Sequence, residues 1–319
     1  MPTRSLTATV LAALLVATSV TCDLFNPHAT TRFDTGSNVR DVFVYNDTLL
    51  VAADTWLLAY DISRPKAPNI QWLTTLGREC RCVIARGGAA YVGTDSGVAV
   101  CPLSHGTQDT LYCGGTSQVI TGLTADLTRL YAATGDGVTV FALSSPEPVK
   151  YIPLAGHPTG LARHDSRLFV SLHDWGVRVF NILPGDSFVL DTLQLGRHNR
   201  AEGVTVSAGG YCIISQGDSG VVVYYSPSPD SVGLCGGGGG GSLSTYATAA
   251  TDGVQEVSIY VADSSTVTIN KVINKPETRS SSVEMDFADF TGFTRRICRG
   301  GNGYVYTASG DAGVYIIRE

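Results

Sequence analysis

The chain has 319 residues, of which 44% are hydrophobic and 16% charged, with 36 glycines, and this balance excludes a disordered chain or a coiled coil. The formal net charge is −6 and the chain has no basic tail, which argues against a nucleic-acid-binding protein, because such a protein needs a concentrated basic face. Fourteen tyrosines, two methionines and frequent valine, threonine and glycine predict a soluble all-β protein.

Residues 1–21 are typical of a secretory signal peptide, because Arg4 precedes an apolar run that ends in small residues. Cys22 follows at the place where a bacterial lipoprotein carries its acylated cysteine, although two preceding positions depart from the usual lipobox. One interpretation is acylation of Cys22, with residues 22–28 as a tether to the membrane. The other is cleavage and release. Both predict export, either to the cell envelope (periplasm or cell surface) or into the medium.

The rest of the chain repeats a strand–turn–strand phrase in which an apolar triplet leads to a turn with Asp and then to a β-branched run. Examples are AYVGTDSGVAV from Ala90 and LYAATGDGVTVF from Leu130. Spacings of 39–48 residues are typical of four-stranded propeller blades. The seven units begin near Asn38, Glu79, Gln118, His157, His198, Tyr246 and Thr294.

The seventh unit stops at Glu319, at the end of its third strand, and a matching outer strand is found at the other end of the chain. There, the segment TTRFDTG from Thr30 echoes WLTTLG from Trp72. We therefore predict a seven-bladed β-propeller of four-stranded blades over residues 29–319. Residues 29–35 are expected to close the ring by completing the C-terminal blade.

The phrase LLAYDISRPKAP, from Leu57 to Pro68, resembles the LVIVD repeat of bacterial exported β-propeller proteins. In this phrase Asp61 and Ser63 can cap a turn, and the prolines stop the strand. The resemblance implies a propeller in a periplasmic or surface setting. It implies no catalytic residues, and we expect no cofactor.

When the units are aligned on the Asp of their hairpin turns, counting residues back to the inner strand gives one equivalent position in each unit. Three arginines fall in consecutive units of a closed ring, so they are expected to converge at the channel mouth, where Arg suits bidentate capture of carboxylate or phosphate. The alternative is that each Arg pairs with a neighbouring carboxylate such as Asp41 or Glu79. The equivalent positions are Arg40, Arg81, Thr121, Thr159, Glu202, Ala250 and Arg296.

Glu202, His157 and His198 are further candidates for ligand binding, because they lie in adjacent units on the same predicted face. His173 and Asp174 are nearby. Solvated or capping histidines are the alternative interpretation, since a zinc site needs three or four converging ligands that loop spacing does not show. We predict no metal site.

The chain contains eight cysteines, and two of them flank a turn almost symmetrically. Cys101 and Cys113 lie on either side of residues 104–109, which would place them opposite each other in one hairpin. We therefore predict a disulfide between Cys101 and Cys113 in the oxidising compartment.

Two functions remain open at this point. The first is a monomeric, non-enzymatic binding or scaffold protein of the cell envelope that presents one propeller face to a protein partner. The second is a small-molecule protein that uses the channel mouth, either as a binder of an anionic ligand or as a hydrolase or lactonase-like enzyme. The enzyme version rests on analogy between folds alone.

Overall fold

The computed structural model describes residues 30–104, 111–113, 119–145, 147–195, 200–217, 220–225, 231–235, 247–252, 256–262, 266–275, 278–282, 287–289 and 294–318. The predicted signal peptide, Cys22 and the tether lie outside these residues. Regular structure within the described part is entirely β, in sheets that are each antiparallel. The innermost strands of consecutive sheets pack against each other in a closed ring, which defines a β-propeller.

Six of the sheets are four-stranded blades with the strand order of the chain, except that blade 6 takes one strand from the N-terminus. Blade 1 contains β2 (Val39–Tyr45), β3 (Thr48–Ala53), β4 (Trp56–Asp61) and β5 (Asn69–Thr75). Blade 2 contains β6 (Cys80–Arg86), β7 (Ala89–Thr94), β8 (Gly97–Pro102) and β9 (Leu111–Cys113). Blade 3 contains β10 (Gly122–Ala125), β11 (Arg129–Ala133), β12 (Gly137–Ala142) and β13 (Pro148–Pro153).

The next two blades follow the same plan, and blade 6 closes the ring. Blade 4 contains β14 (Pro158–His164), β15 (Arg167–Leu172), β16 (Gly176–Leu183) and β17 (Ser187–Leu195). Blade 5 contains β18 (Gly203–Val206), β19 (Tyr211–Ser215), β20 (Val221–Tyr225) and β21 (Ser231–Cys235). Blade 6 contains β27 (Arg296–Arg299), β28 (Tyr304–Ala308), β29 (Val314–Arg318) and β1 (Thr30–Phe33).

The prediction of a seven-bladed propeller of four-stranded blades is wrong, because the structure has six such blades and the region between blades 5 and 6 forms a five-stranded sheet. Its third strand is ten residues long, and its outer edge is shared by two strands that pair with opposite ends of it. The structure therefore has six regular blades and one irregular sheet. That sheet contains β22 (Ala247–Asp252), β23 (Glu256–Ala262), β24 (Thr266–Lys275), β25 (Thr278–Ser282) and β26 (Phe287–Asp289).

The N-terminal strand closes the ring as expected from the missing strand of the last unit. β1 pairs antiparallel with β29, from Thr30 opposite Ile317 to Phe33 opposite Val314. The Arg32 Nε donates to the carbonyl of Ala312 at 2.6 Å. This pairing covers the outer edge of β29 and joins the two ends of the described chain.

The hydrophobic core is divided into layers between neighbouring sheets. One layer between blades 6 and 1 contains Tyr306, Val314, Val39 and Val51, and equivalent layers follow around the ring. Alternate residues of the middle strands face opposite neighbours, so these strands are apolar on both sides and read as continuous hydrophobic runs in the sequence.

The predicted opposition of Cys101 and Cys113 is wrong. Cys113 pairs with Val98, three residues along β8 from Cys101. Three residues of strand displace the two positions by about 10 Å, beyond the Cα separation of about 7 Å that a disulfide can span. Cys101 is a free, buried thiol, as are Cys80, Cys82 and Cys212.

Candidate functional site

A β-bulge recurs at the beginning of the inner strands. In blades 1, 2 and 4 the pairing between the first and second strands skips one residue, which is Arg40, Arg81 or Thr159. A bulge leaves one residue without a ladder partner and changes the direction of its side chain. In this propeller the bulged residues point their side chains into a cavity at the mouth of the central channel.

Blades 3 and 5 show the same geometry through their hydrogen bonds. The Thr121 amide donates to the carbonyl of Ala133 at 3.0 Å, although Ala133 is already opposite Gly122. The Glu202 amide likewise donates to the carbonyl of Ser215 at 2.8 Å. Thr121 and Glu202 are therefore equivalent to the bulged residues, as predicted from the repeat.

In blade 6 the equivalent residue is Arg295, and the prediction of Arg296 at this position is wrong by one. The Arg295 amide donates to the carbonyl of Ala308 at 2.7 Å, and Ala308 is opposite Arg296. The cause is the hairpin length: residues 309–313 separate the paired strands in blade 6, compared with residues 95–96 in blade 2. Counting back from the Asp turn therefore misplaces the position, and sequence reasoning missed Arg295.

The bulged residues enclose a cavity of about 350 Å³, and we call it the mouth cavity. Four of its lining side chains are arginines in a protein whose net charge is −6. Small-molecule sites begin at about 300 Å³, so this space suits a metabolite-sized ligand. Among the described residues, the cavity is lined by Arg40, Arg81, Thr121, Thr159, Glu202, Arg295 and Arg296.

Glu79 bridges two of the arginines from the side of the mouth cavity. One carboxylate oxygen pairs with Arg40, and the other accepts from Arg81 Nη2 at 2.9 Å. The alternative interpretation of these two arginines, internal pairing, is thus present in part. The Nε atoms of Arg40, Arg81 and Arg295 are nevertheless buried, with no hydrogen-bond partner among the described residues.

Arg295 is a half-buried arginine close to Arg40. Burial, followed by the positive charge of Arg40, lowers the pKa of the Arg295 guanidinium, and Asp311 and Glu79 oppose this change. An arginine remains charged at neutral pH even so. An anion in the mouth cavity would therefore gain from a positive potential that the protein neutralises incompletely.

A second ring of residues lies one position further along each inner strand. Three blades have glycine here, and these glycines allow the strands to approach closely: a Cβ at Gly122 would lie 2.9 Å from the Cα of Gly160. The channel below has a volume of about 440 Å³, and Arg296 lines both spaces. Its Nη2 reaches across to within 3.5 Å of the carbonyl of Thr121. The second ring consists of Asp41, Cys82, Gly122, Gly160, Gly203 and Arg296.

Asp41 is the buried carboxyl group of the second ring. Its two oxygens accept from the amides of Val42 at 2.9 Å and Val83 at 2.8 Å, the latter in blade 2. Burial raises the pKa of Asp41 to about 6, although the charge of Arg296 and these two hydrogen bonds act in the opposite direction. Asp41 therefore links two blades and faces Arg296 below the mouth cavity.

The structure does not bring the other predicted candidates, Glu202, His157 and His198, together in one site. Glu202 lines the mouth cavity, with a side chain 12% exposed, and pairs with Arg200 and with His173 Nε2 at 3.7 Å. His157 contacts the carbonyl of Gly135 in blade 3 at 3.0 Å and does not line this cavity. His198 lies outside the described residues.

Within the described residues, no group of three or more His, Cys, Asp or Glu side chains is arranged to hold a metal ion. No helix in the same part of the chain is long and apolar enough to cross a membrane.

No family model matches the chain, and no curated protein matches it significantly. Solved structures are similar in fold. The WD40 β-propeller domain of Doa1 is 15% identical with a TM-score of 0.70, covering 92% of this chain and 98% of that one. The RRP9 WD40 repeats are 12% identical with a TM-score of 0.72, covering 91% and 97%. The computationally designed Ika8 protein is 13% identical with a TM-score of 0.63, covering 91% and 98%. The fold is therefore a β-propeller similar to WD40 domains, and at these identities the likeness is one of fold alone.

Proposed function

We propose that this propeller is a non-enzymatic binding protein that holds a small organic anion in the mouth cavity. The observation that carries the proposal is the convergence of four arginines on one space of about 350 Å³. Arginine guanidiniums form charge-assisted, often bidentate hydrogen bonds with carboxylates and phosphates, so a small anion in this cavity would be favoured by the four positive charges.

Binding is favoured over catalysis by the state of the hydroxyl groups in the mouth cavity. Thr121 Oγ1 donates to the carbonyl of Pro158 at 2.8 Å, and Thr159 Oγ1 donates to that of Ala201 at 2.6 Å. Their protons are therefore committed to main-chain acceptors rather than to a general base, which an activated nucleophile requires. The channel-mouth hydrolase is for this reason the weaker alternative.

The test is a thermal-unfolding titration with phosphate, citrate, succinate and a sugar acid at fixed ionic strength. At least one anion should raise the melting temperature saturably, because a ligand that binds only the native state stabilises it by mass action. Arg81→Ala and Arg295→Ala should lose most of this shift. Arg64→Ala removes the same charge from an exposed loop and should keep it. Each variant is first checked by circular dichroism for cooperative unfolding.

One result would end this proposal. If no anion raises the melting temperature of the wild-type protein more than that of Arg81→Ala, the arginines serve the internal pairing with Glu79 and bind no ligand. Isothermal titration calorimetry of the folded variants decides the same question without reference to their stability.

A protein partner is the second candidate, and exposed tryptophans favour it. Trp56 is 37% exposed and Trp175 is 43% exposed, in the hairpins of blades 1 and 4 on the face that carries the mouth cavity. Exposed aromatic residues are enriched at protein interfaces. A pull-down from envelope extracts with Trp56→Ser/Trp175→Ser as the control tests this role, and equal capture by both proteins would argue against it.

We also propose that the protein is exported and acylated at Cys22. Support comes from the signal-like residues 1–21 and from the resemblance of residues 57–68 to LVIVD repeats of exported propellers. Expression in a bacterium followed by mass spectrometry of the mature N-terminus tests this. An N-terminal Cys22 with a lipid mass is expected; an unprocessed chain or an unmodified Cys22 contradicts acylation.

A further inference from the structure

The two halves of the mouth cavity differ in their hydrogen-bonding character. The four arginines come from three consecutive blades, 6, 1 and 2, whereas the other lining residues in the described part of the chain come from blades 3, 4 and 5. Because inner strands of consecutive blades lie side by side, each group forms a continuous wall. The mouth cavity therefore has a cationic wall and a second wall made of Thr121, Thr159 and Glu202.

The cationic wall offers only hydrogen-bond donors. A guanidinium has five N–H groups and no acceptor. Within the described residues, Arg40 and Arg81 share one internal carboxylate, that of Glu79. A ligand on this side must present acceptors, and a carboxylate fits the planar donor geometry.

The second wall offers acceptors. Each threonine hydroxyl has one proton, and its shortest contact is with a main-chain carbonyl of the next blade; Thr159 Oγ1 also lies 2.9 Å from Ser171 Oγ. Glu202 adds a negative charge. Its ion pair with Arg200 and its contact with His173 Nε2 at 3.7 Å both fall on Oε1 and leave Oε2 without either contact. A ligand on this side must present donors.

We infer that the ligand is a small zwitterion of the amino-acid class, with its carboxylate against the arginines and its ammonium group against Glu202 and the two threonines. This inference rests on the proposed anion-binding function and adds the second recognition group. An ammonium group satisfies Glu202 better than a hydroxyl does, because it supplies both the donors and the opposite charge. A volume of about 350 Å³ matches a ligand of this size.

The test compares four ligands that share one carbon skeleton, by calorimetry on the wild-type protein. Succinate lacks a donor at the second carbon, malate adds a hydroxyl, aspartate adds an ammonium group, and N-acetylaspartate removes its charge. Aspartate should bind about tenfold or more tightly than succinate, since a hydrogen bond to a charged group contributes about 1.5–3 kcal/mol. N-acetylaspartate should bind no better than succinate.

A variant assigns the difference to Glu202. Glu202→Gln should reduce the ratio of aspartate to succinate affinity to near one while succinate still binds. Arg295→Ala should instead weaken both ligands by a similar factor and keep the ratio. The ligand series on the wild-type protein needs no variant, so it remains decisive if Glu202→Gln does not fold.

The two proposals fail in different ways. If none of the four ligands and no anion of the earlier titration binds, anion binding itself is wrong. If succinate binds as tightly as aspartate, or malate matches aspartate, the mouth cavity binds anions but the zwitterion assignment is overturned.

Discussion

At the scale of single residues, the carboxyl group of Asp41 is subject to opposing electrostatic effects. Its carboxyl group is buried, and it connects blades 1 and 2 through the amides of Val42 and Val83. Burial makes ionisation costly, whereas these amides and Arg296 favour the charged form. The charged and titratable groups around it are Arg296, Cys82 and Cys298.

We predict that Asp41 makes stability fall as the pH rises from about 4 to 6. The pKa of Asp41 is raised from 3.8 to about 6 in the native state, so the folded protein holds a proton that the unfolded chain has already lost. The contribution of Asp41 to the free energy of unfolding is fully present below pH 4, is lost between about pH 4 and 6, and does not change further above pH 6. At about 1.4 kcal/mol per pKa unit, the loss is about 3 kcal/mol.

The measurement is urea unfolding of the wild-type protein and Asp41→Asn between pH 4 and 8. The amide introduced by this substitution retains one acceptor and does not titrate. It therefore changes the free energy of unfolding by a constant amount, and only a difference in pH dependence between the two proteins reports the titration of Asp41. Parallel curves would show that Asp41 titrates normally in the fold.

The bulged arginines show how far the sequence determines single positions. Arg40 and Arg81 were predictable because hairpins of equal length keep the count constant in blades 1 and 2. Arg295 was missed because the longer hairpin of blade 6 shifts the count. Pairing with a neighbouring carboxylate such as Glu79 was one predicted alternative, but side-chain geometry was needed to show that Glu79 joins both arginines.

At the scale of strands, close approach at the channel depends on glycine. The inner strands of blades 3 and 4 meet where a Cβ at Gly122 would lie 2.9 Å from the Cα of Gly160. The neighbour is backbone, so it has no flexible end that can move aside. The hairpin of the same blade also contains Gly135, where a Cβ would meet nothing within 4 Å.

Gly122→Ala should therefore destabilise the protein by about 1–3 kcal/mol, as overpacking does. Gly135→Ala, the matched control in blade 3, should be neutral or slightly stabilising, because it reduces the entropy of the unfolded chain. Chemical denaturation of both variants measures the difference. Equal stabilities would mean that blades 3 and 4 separate without cost.

The strands between blades 5 and 6 show where the repeat pattern stops being informative. The sequence unit there lacks the Gly-Val pair found at the start of the third strand in blades 2 to 6, and its third strand extends to ten residues. Such a strand has length for two partners, which the count of one outer strand per unit did not include. Strand length is set by pairing partners as much as by the local sequence, so the fifth strand was not predictable.

At the scale of the whole molecule, the ring is held closed by its two ends. β1 supplies the outer strand of blade 6, and the Phe33 ring lies 4.7 Å from that of Tyr60, in blade 1. The joint is tight, since a Cβ at Gly313 would lie 2.4 Å from the carbonyl oxygen of Phe33. The N-terminal strand thus connects the last blade to the first.

Removing β1 should therefore open the ring and destabilise the fold. A protein without residues 23–36 should lose cooperative unfolding and aggregate, because the edge of β29 is exposed and the contact with blade 1 is lost. A protein without residues 23–29 keeps β1 and is the matched control. Calorimetry and size-exclusion chromatography compare the two.

A synthetic peptide of residues 29–36 should restore stability in a concentration-dependent way, because it can occupy the vacant edge. Identical melting of the two truncated proteins, with no effect of the peptide, would show that the ring is closed without β1.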